Sequence, residues 1–482
     1  MYYLINIFSY DFVKILFGNV ISTILSFARA MLLPPLFLKF WGVDDYAIWV
    51  YLLSLVSIIA FLNLGLNIYG VNKLHKLFIL KRSIFNRVKN ILITSFILLN
   101  SIGLLVGTVF IFLHKENALI LELLIITALI SNICGFLAGL FRSYDKDYIG
   151  IFINNIYTIV LIALTSLLLF FEGYMYELAI LLILLSLARL IATYLILKIN
   201  FNFNFNFNFN FKYIYLIIFK SIRFLSFQLS NFLKLDMSII ILQFFLNSTS
   251  IVMYVLHRTI ANILNQSVLI LNNSLFQHIS KNYTLKKHHE INATYNMQQK
   301  IILMIGLMLL LIISLIYEDI MNLWLGDSSL DFIDKDIMTL FVLSVIFSSL
   351  WNGATVFLSA IPKHEKMSNY VIYNSALFVI LSIPGVIFYK IYGILYALLF
   401  VEIVFGLIIQ IHIVDVLTIK RTLVYKQYLQ LFVILGLFFI IDSLINELHL
   451  KFLIGVGILL IIEFLFFDTG DIKYVKRFIK GG

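Results

Sequence analysis

The stretch 71–90, VNKLHKLFILKRSIFNRVKN, places six basic side chains (Lys73, Lys76, Lys81, Arg82, Arg87 and Lys89) and no acidic one between two long apolar segments. A helix crossing a hydrocarbon core of about 30 Å needs about 20 mostly apolar residues. Such stretches recur at 12–38, 46–71, 90–113, 118–141, 149–171, 178–197, 224–246, 251–276, 301–317, 337–361, 368–389, 391–414, 427–445 and 452–467. Lys and Arg gather in every second gap between them. With the N-terminus placed in the cytoplasm, the even gaps and the C-terminus hold 25 of the 35 Lys and Arg, the odd gaps hold five, and the spans hold five. Basic residues stay on the cytoplasmic side of inserted segments, so the split supports both the span count and an orientation with both termini inside. An error of one span would invert every later loop.

The composition agrees with that reading. Of 482 residues, 62% are hydrophobic and 12% charged, against about 45–50% and about 25% in ordinary soluble chains, and the mean hydropathy is +1.02. The expected class is an all-α polytopic membrane protein with about 14 transmembrane helices. The ninth stretch is short enough to draw in residues 297–300, and only Lys390 separates the eleventh from the twelfth, so twelve or thirteen spans stay open. The net charge of +10 is accounted for by loops beside an anionic leaflet, and no nucleic-acid partner is implied. The first segment carries Arg29 and exceeds the 7–15-residue core of a signal peptide, so its retention is expected. Cys134 is the single cysteine; it can form no intramolecular disulfide or cysteine metal cluster and reads as packing.

Asn200 to Phe211 is a run of Phe-Asn dipeptides on the cytoplasmic side. Its alternation has the period of a strand, yet no partner strand is in view; it reads as a low-complexity linker or as an interfacial segment with its rings among headgroups. The linker, 200–220, separates an N-lobe, 1–199 (spans one to six), from a C-lobe, 221–414 (spans seven to twelve). Spans thirteen and fourteen with a basic tail, 415–482, form an appended pair. Two six-helix lobes of one orientation would enclose a central cavity.

Ionisable residues inside spans cost about 2.5–3.5 kcal/mol each on insertion scales and mark candidate sites. Arg29 shares a helix face with Asn19, Ser22, Thr23 and Ser26. In span eight, Arg258, Asn262, Asn265, Gln266, Asn272 and Asn273 form a denser stripe, which either lines a cavity or joins helices by hydrogen bonds. Lys234 shares a face with Ser230, Asn231 and Ser238; Asp236, two residues on, does not face it and either pairs with another helix or carries a coupling ion. Arg189 lies nearer the cytoplasmic end and is placed to snorkel. Glu402, the isolated acid of span twelve, reads equally as an ion-pair partner or as a proton or sodium site. Deep cations (Arg29, Arg189, Lys234, Arg258) outnumber deep acids, so a shared cavity would attract an anion, with Arg offering bidentate contacts to phosphate. Pro34-Pro35 predicts a bend or break in the first span.

Several segments carry a family resemblance: Gly42-Val-Asp-Asp-Tyr46-Ala-Ile-Trp49, Leu62-Asn-Leu-Gly65-Leu66, Phe227 to Asp236, Met253-Tyr-Val-Leu-His-Arg258 and Leu323-Trp-Leu-Gly326. Together they resemble the bacterial polysaccharide repeat-unit flippases, the O-antigen and capsule exporters of the multidrug/oligosaccharidyl-lipid/polysaccharide (MOP) superfamily. The resemblance implies a paired-lobe transporter in the bacterial inner membrane that moves an undecaprenyl-pyrophosphate-linked oligosaccharide outward by alternating access. It implies the lipid-linked substrate and other polysaccharide assembly proteins as partners, no cofactor, and coupling to a proton or sodium gradient through Asp236 or Glu402. One position departs from the pattern: Asn63 stands where relatives carry Asp.

No G-x-x-x-x-G-K-[ST] loop is present to bind ATP. A membrane polymerase or ligase is the alternative from another class, but the longest outer gap, 318–336, carries no catalytic constellation. A multidrug efflux carrier of the same superfamily is the second alternative, and the cation excess disfavours cationic drugs.

Overall fold

A computed structural model describes residues 10–63, 65–80, 82–222, 225–285, 287–326, 331–360, 365–417 and 421–444. Among them there is no strand. Thirteen α-helices follow one another: α1 Tyr10–Val56, α2 Leu66–Leu80, α3 Arg82–Leu113, α4 Ala118–Ser143, α5 Asp147–Phe170, α6 Met175–Phe201, α7 Phe211–Ser221, α8 Leu225–Phe245, α9 Ser248–Thr284, α10 His288–Leu325, α11 Lys335–Ala360, α12 Glu365–Val416 and α13 Thr422–Leu444. Eight of these segments are long and apolar enough to cross a membrane.

Two helices are too long for one crossing. At 1.5 Å per residue, α1 and α12 would measure about 70 Å and about 78 Å if straight, more than twice the hydrocarbon thickness. Each is broken by one residue outside helical dihedrals, Gly42 in α1 (φ 79°) and Lys390 in α12 (φ 53°). The helix runs on through Pro34 and Pro35, and the break falls at Gly42 instead. Proline's fixed φ is itself helical, and neighbouring helices can satisfy the carbonyls it leaves free. Lys390 confirms the boundary between the eleventh and twelfth sequence segments as a turn of one residue. The two arms of that hairpin touch backbone to backbone: a Cβ on Gly385 would lie 2.6 Å from the Gly393 carbonyl oxygen. The fourteenth sequence segment, 452–467, lies outside the described residues.

The chain forms two compact units, Met1–Val252 and Met253–Gly482. The first takes in α8, which the sequence groups with the later helices; α8 packs on α1 and on the 3₁₀ turn Ser57–Asn63 that follows it, with Phe232 edge-on to Phe61 at 5.0 Å. That turn interrupts the second span. Asn63 Oδ1 closes it by accepting the Gly65 N–H at 2.9 Å, Gly65 having φ 74°. An amide serves this turn as well as the carboxylate expected from the family pattern.

The first unit's core joins α2, α3, α4 and α7 around Leu92, Phe96, Phe136 and Phe141. The Phe-Asn run is docked on it without forming a strand. Asn202, left-handed, ends α6, and Asn210 starts α7 by accepting the Tyr213 N–H at 3.2 Å, two roles to which asparagine is suited. Between them Phe203 is buried with the Lys89 ammonium 4.8 Å from its ring centroid, and the Asn208 N–H donates to Thr94 Oγ1 at 3.0 Å.

The second unit is held by buried amides where α10, α11 and α12 meet: Gln299 donates to the Leu350 carbonyl at 3.2 Å and accepts from Gln410 at 3.1 Å. Such interhelical bonds are the expected adhesive where lipid removes the hydrophobic incentive to pack.

Candidate anion-binding cavity

The first unit contains a cavity of about 650 Å³ built by α1, α4, α5 and α6. On α1, Ser26, Arg29, Ala30, Leu33 and Phe37 recur at helical spacing and present one face. After the Gly42 break, Tyr46, Trp49 and Val50 return along the same cavity. From α5 come Asn154, Tyr157, Thr158 and Leu161, and from α6 Leu178, Leu182 and Arg189.

Specific contacts hold these helices in place. Asn155 donates to the Gly18 carbonyl at 2.9 Å, fastening α5 to α1. Trp41 Nε1 donates to the Gly173 carbonyl at 2.7 Å, tying the end of α1's first arm to the turn before α6. Three hydroxyls spend their protons on their own helices: Ser26 on the Ser22 carbonyl, Thr23 on that of Asn19 and Thr158 on that of Asn154.

The two arginines are not treated in this way. The Arg189 guanidinium lies 4.9 Å from the centroid of the Tyr157 ring, while its Nε is buried with no hydrogen-bond partner. Thr165 Oγ1, also in the lining, is likewise buried and unpartnered. Among the described residues no Asp or Glu lines the cavity, and neither Arg29 nor Arg189 makes an ion pair. Buried polar groups are normally satisfied, and unpaired charge in a low dielectric is costly. Two guanidiniums thus line one cavity whose described lining holds no carboxylate.

The structure thus brings together two of the sequence-selected residues, Arg29 and Arg189, with Arg189 in the cavity lining rather than directed to the C-terminal end of α6. Lys234 and Asp236 lie half-buried on α8 in the same unit but outside this lining; Lys234 faces with Ser230 and Ser238, both buried, whereas Asn231 is exposed. Arg258, Asn262, Asn265 and Gln266 belong to α9 in the second unit. There the Arg258 guanidinium lies 5.8 Å from the Tyr254 ring centroid, Asn265 Oδ1 is buried without a partner, and Gln266 is exposed. The side chains of Asn272 and Asn273 lie outside the described residues. Glu402, on α12, is buried and accepts the Trp351 indole N–H at 2.5 Å. Among the described residues no cluster of His, Cys, Asp or Glu is placed to hold a metal ion.

Sequence reasoning missed Asn154, Tyr157 and Thr158. The signal was there, since positions 154, 158, 161 and 165 repeat at three and four as in the first span, but the stripe holds no charge.

Helix order and broken apolar spans define an all-helical, polytopic membrane-protein fold. No family model and no curated protein sequence matches the chain. Among solved structures it is similar to the lipid II flippase MurJ in an inward closed conformation, with a TM-score of 0.69 at 15% identity over 93% of this chain and 98% of that one. An inward-facing multidrug resistance MATE family transporter of the MOP superfamily gives 0.62 at 16% identity, over 82% and 95%. A MOP superfamily transporter from Pyrococcus furiosus, described as having a binding pocket whose reverse polarity suggests a different function, gives 0.54 at 15% identity, over 85% and 95%. What the chain shares with these proteins is the fold.

Proposed function

We propose that this chain is a flippase that carries undecaprenyl-pyrophosphate-linked oligosaccharide units across the bacterial inner membrane by alternating access, for O-antigen or capsule synthesis. The observation behind this reading is the convergence of Arg29 and Arg189 on one cavity with no acid in its lining. Guanidinium forks match phosphate oxygens two at a time. A sugar pyrophosphate cannot cross hydrocarbon unaided, whereas its prenyl tail can remain in lipid. In this reading Lys234 of the first unit and Arg258, Asn262, Asn265 and Gln266 of the second are further substrate-binding residues, and Asp236 or Glu402 supplies the carboxylate for proton or sodium coupling. In this reading both termini lie in the cytoplasm, which the alternation of loop charges supports, and assembly proteins on the far side consume the product.

Multidrug efflux is the competing reading, favoured by the likeness to MATE transporters and by the aromatic lining of Phe37, Tyr46, Trp49 and Tyr157. Leaflet-resolved labelling of the lipid-linked glycan separates the two. In a deletion strain, and in one carrying Arg29→Gln with Arg189→Gln, the glycan should accumulate on the cytoplasmic leaflet. Units found outside but unpolymerised would point to a polymerase. Unchanged glycolipid with altered drug sensitivity would establish efflux and overturn the flippase reading.

A further inference from the structure

A second depression, an apolar groove of about 370 Å³, runs between α5 and α6. Phe152, Ile156 and Val160 form one wall and Leu185, Ala188 and Ala192 the other. Phe152 and Ile156 are 64% and 47% exposed, so the groove opens on the outer surface of the helix pair. Tyr157 and Arg189 line both this groove and the polar cavity. The polar cavity and the apolar groove thus share one arginine set against one tyrosine ring, with the arginine's Nε lacking a partner.

That arrangement discriminates among ligands. A water-soluble anion would satisfy Arg189 but leave the groove unfilled. A neutral lipid would fill the groove and leave the guanidinium unpaired. An amphiphile with its negative charge at the root of a hydrocarbon chain does both. We infer that the groove is a tail subsite: it takes the headgroup-proximal part of an isoprenoid chain whose phosphate meets Arg189 and whose polar remainder lies in the cavity. The walls run from Phe152 to Val160 and from Leu185 to Ile196, about 12 Å and about 16 Å of helix, enough for the first few isoprene units. This rests on the anionic reading of the cavity and adds that a covalently attached chain is part of what is recognised, so a detached headgroup binds poorly.

The test uses the full chain purified in nanodiscs and three probes: a diazirine-bearing undecaprenyl pyrophosphate, inorganic pyrophosphate, and phosphatidylcholine with a diazirine acyl chain. The prenyl probe should crosslink to peptides from 152–160 and 185–196. Ala192→Phe, which narrows the groove without entering the cavity lining, should weaken the prenyl probe about tenfold and leave inorganic pyrophosphate within about twofold; Arg189→Gln should weaken both. Should Ala192→Phe fail to fold, crosslinking of the wild-type chain decides. Prenyl binding unchanged by Ala192→Phe, or wild-type crosslinks elsewhere, with Arg189 dependence retained, overturns the tail subsite and leaves the cavity reading standing. Loss of Arg189 dependence for both pyrophosphates overturns the cavity reading itself. Equal labelling of the groove by phosphatidylcholine, indifferent to Arg189→Gln, makes it an ordinary lipid-facing surface.

Discussion

His257 Nε2 lies 2.5 Å from the Tyr317 hydroxyl, inside the second unit. His257 Nδ1 is 2.7 Å from the Met253 carbonyl oxygen. With the proton assigned to Nδ1, the tyrosine donates to Nε2. The same hydroxyl accepts the Asp334 N–H at 3.0 Å, and the Asp334 carboxylate accepts from Tyr392 at 2.6 Å and caps the first turn of α11 through the Asp336 and Ile337 N–H groups. One phenol therefore anchors the start of α11 to α9 and α10.

Tyr317→Phe keeps the ring and removes the hydroxyl, leaving the Asp334 N–H short of a partner and His257 Nε2 with only the Asp334 carbonyl oxygen, 3.1 Å away. Each buried unsatisfied group costs about 1–3 kcal/mol. The variant should unfold at a clearly lower temperature in detergent, as read by intrinsic fluorescence. An unchanged midpoint would show that the network adds nothing to stability.

Gly393→Ala should be among the most damaging small substitutions, because the added methyl would overlap the Gly385 carbonyl. The one-residue turn at Lys390 leaves the arms no room to separate. Gly436→Ala, with open space around it, is the matched control and should be neutral or slightly stabilising, since alanine favours helix by about 1 kcal/mol over glycine. Folded yield by size-exclusion profile compares the two.

Glu402→Gln preserves an acceptor for the Trp351 indole N–H while deleting the charge. Folding should be retained, and substrate movement in vesicles should lose its response to an imposed proton or sodium gradient. A variant that still responds would move the coupling assignment to Asp236.

Lys73 is half-buried on α2 and is held below the usual lysine range, first by burial and second by the Lys220 ammonium. The folded state then binds fewer protons than the unfolded chain just below the ordinary lysine pKa, so this group makes stability rise with pH through that window. A larger neutral fraction also makes the amine more reactive. At about pH 9 an amine-directed reagent should acylate Lys73 ahead of the exposed Lys76, and Lys220→Gln should slow the reaction at Lys73. Equal rates in parent and variant would contradict the repulsion.

Most of the helical order was legible because insertion depends on summed apolarity, which is a property of short windows of sequence. Even the turn at Lys390 shows as one charge in an otherwise apolar run. The break at Gly42 falls in the gap 39–45 that the sequence leaves between its first two segments; the bend expected at Pro34-Pro35 is absent because proline's constraint on φ suits the helix it stands in. The cavity was half visible. Arg29 declared itself through a polar stripe, but whether Arg189 runs to the membrane surface or turns inward depends on Tyr157, a ring on another helix. Asn154 and Thr158 were legible only by their spacing, because uncharged side chains in a span are inexpensive and read as packing. The Phe-Asn run has the period of a strand, but alternation describes a strand only when a second strand is available; what the sequence did not show is that a core of helices takes that partner's place.

That run has a property that no ordinary loop shares. Every second residue is the same, so sliding the segment by one dipeptide, about 6.6 Å when extended, would put another Phe over Lys89 and another Asn amide beside Thr94. The contacts are indifferent to which copy makes them. The segment is in effect a vernier of interchangeable teeth, able to gain or lose a repeat unit and be fastened again by identical chemistry, so its length can drift among descendants of this sequence while its anchorage stays the same.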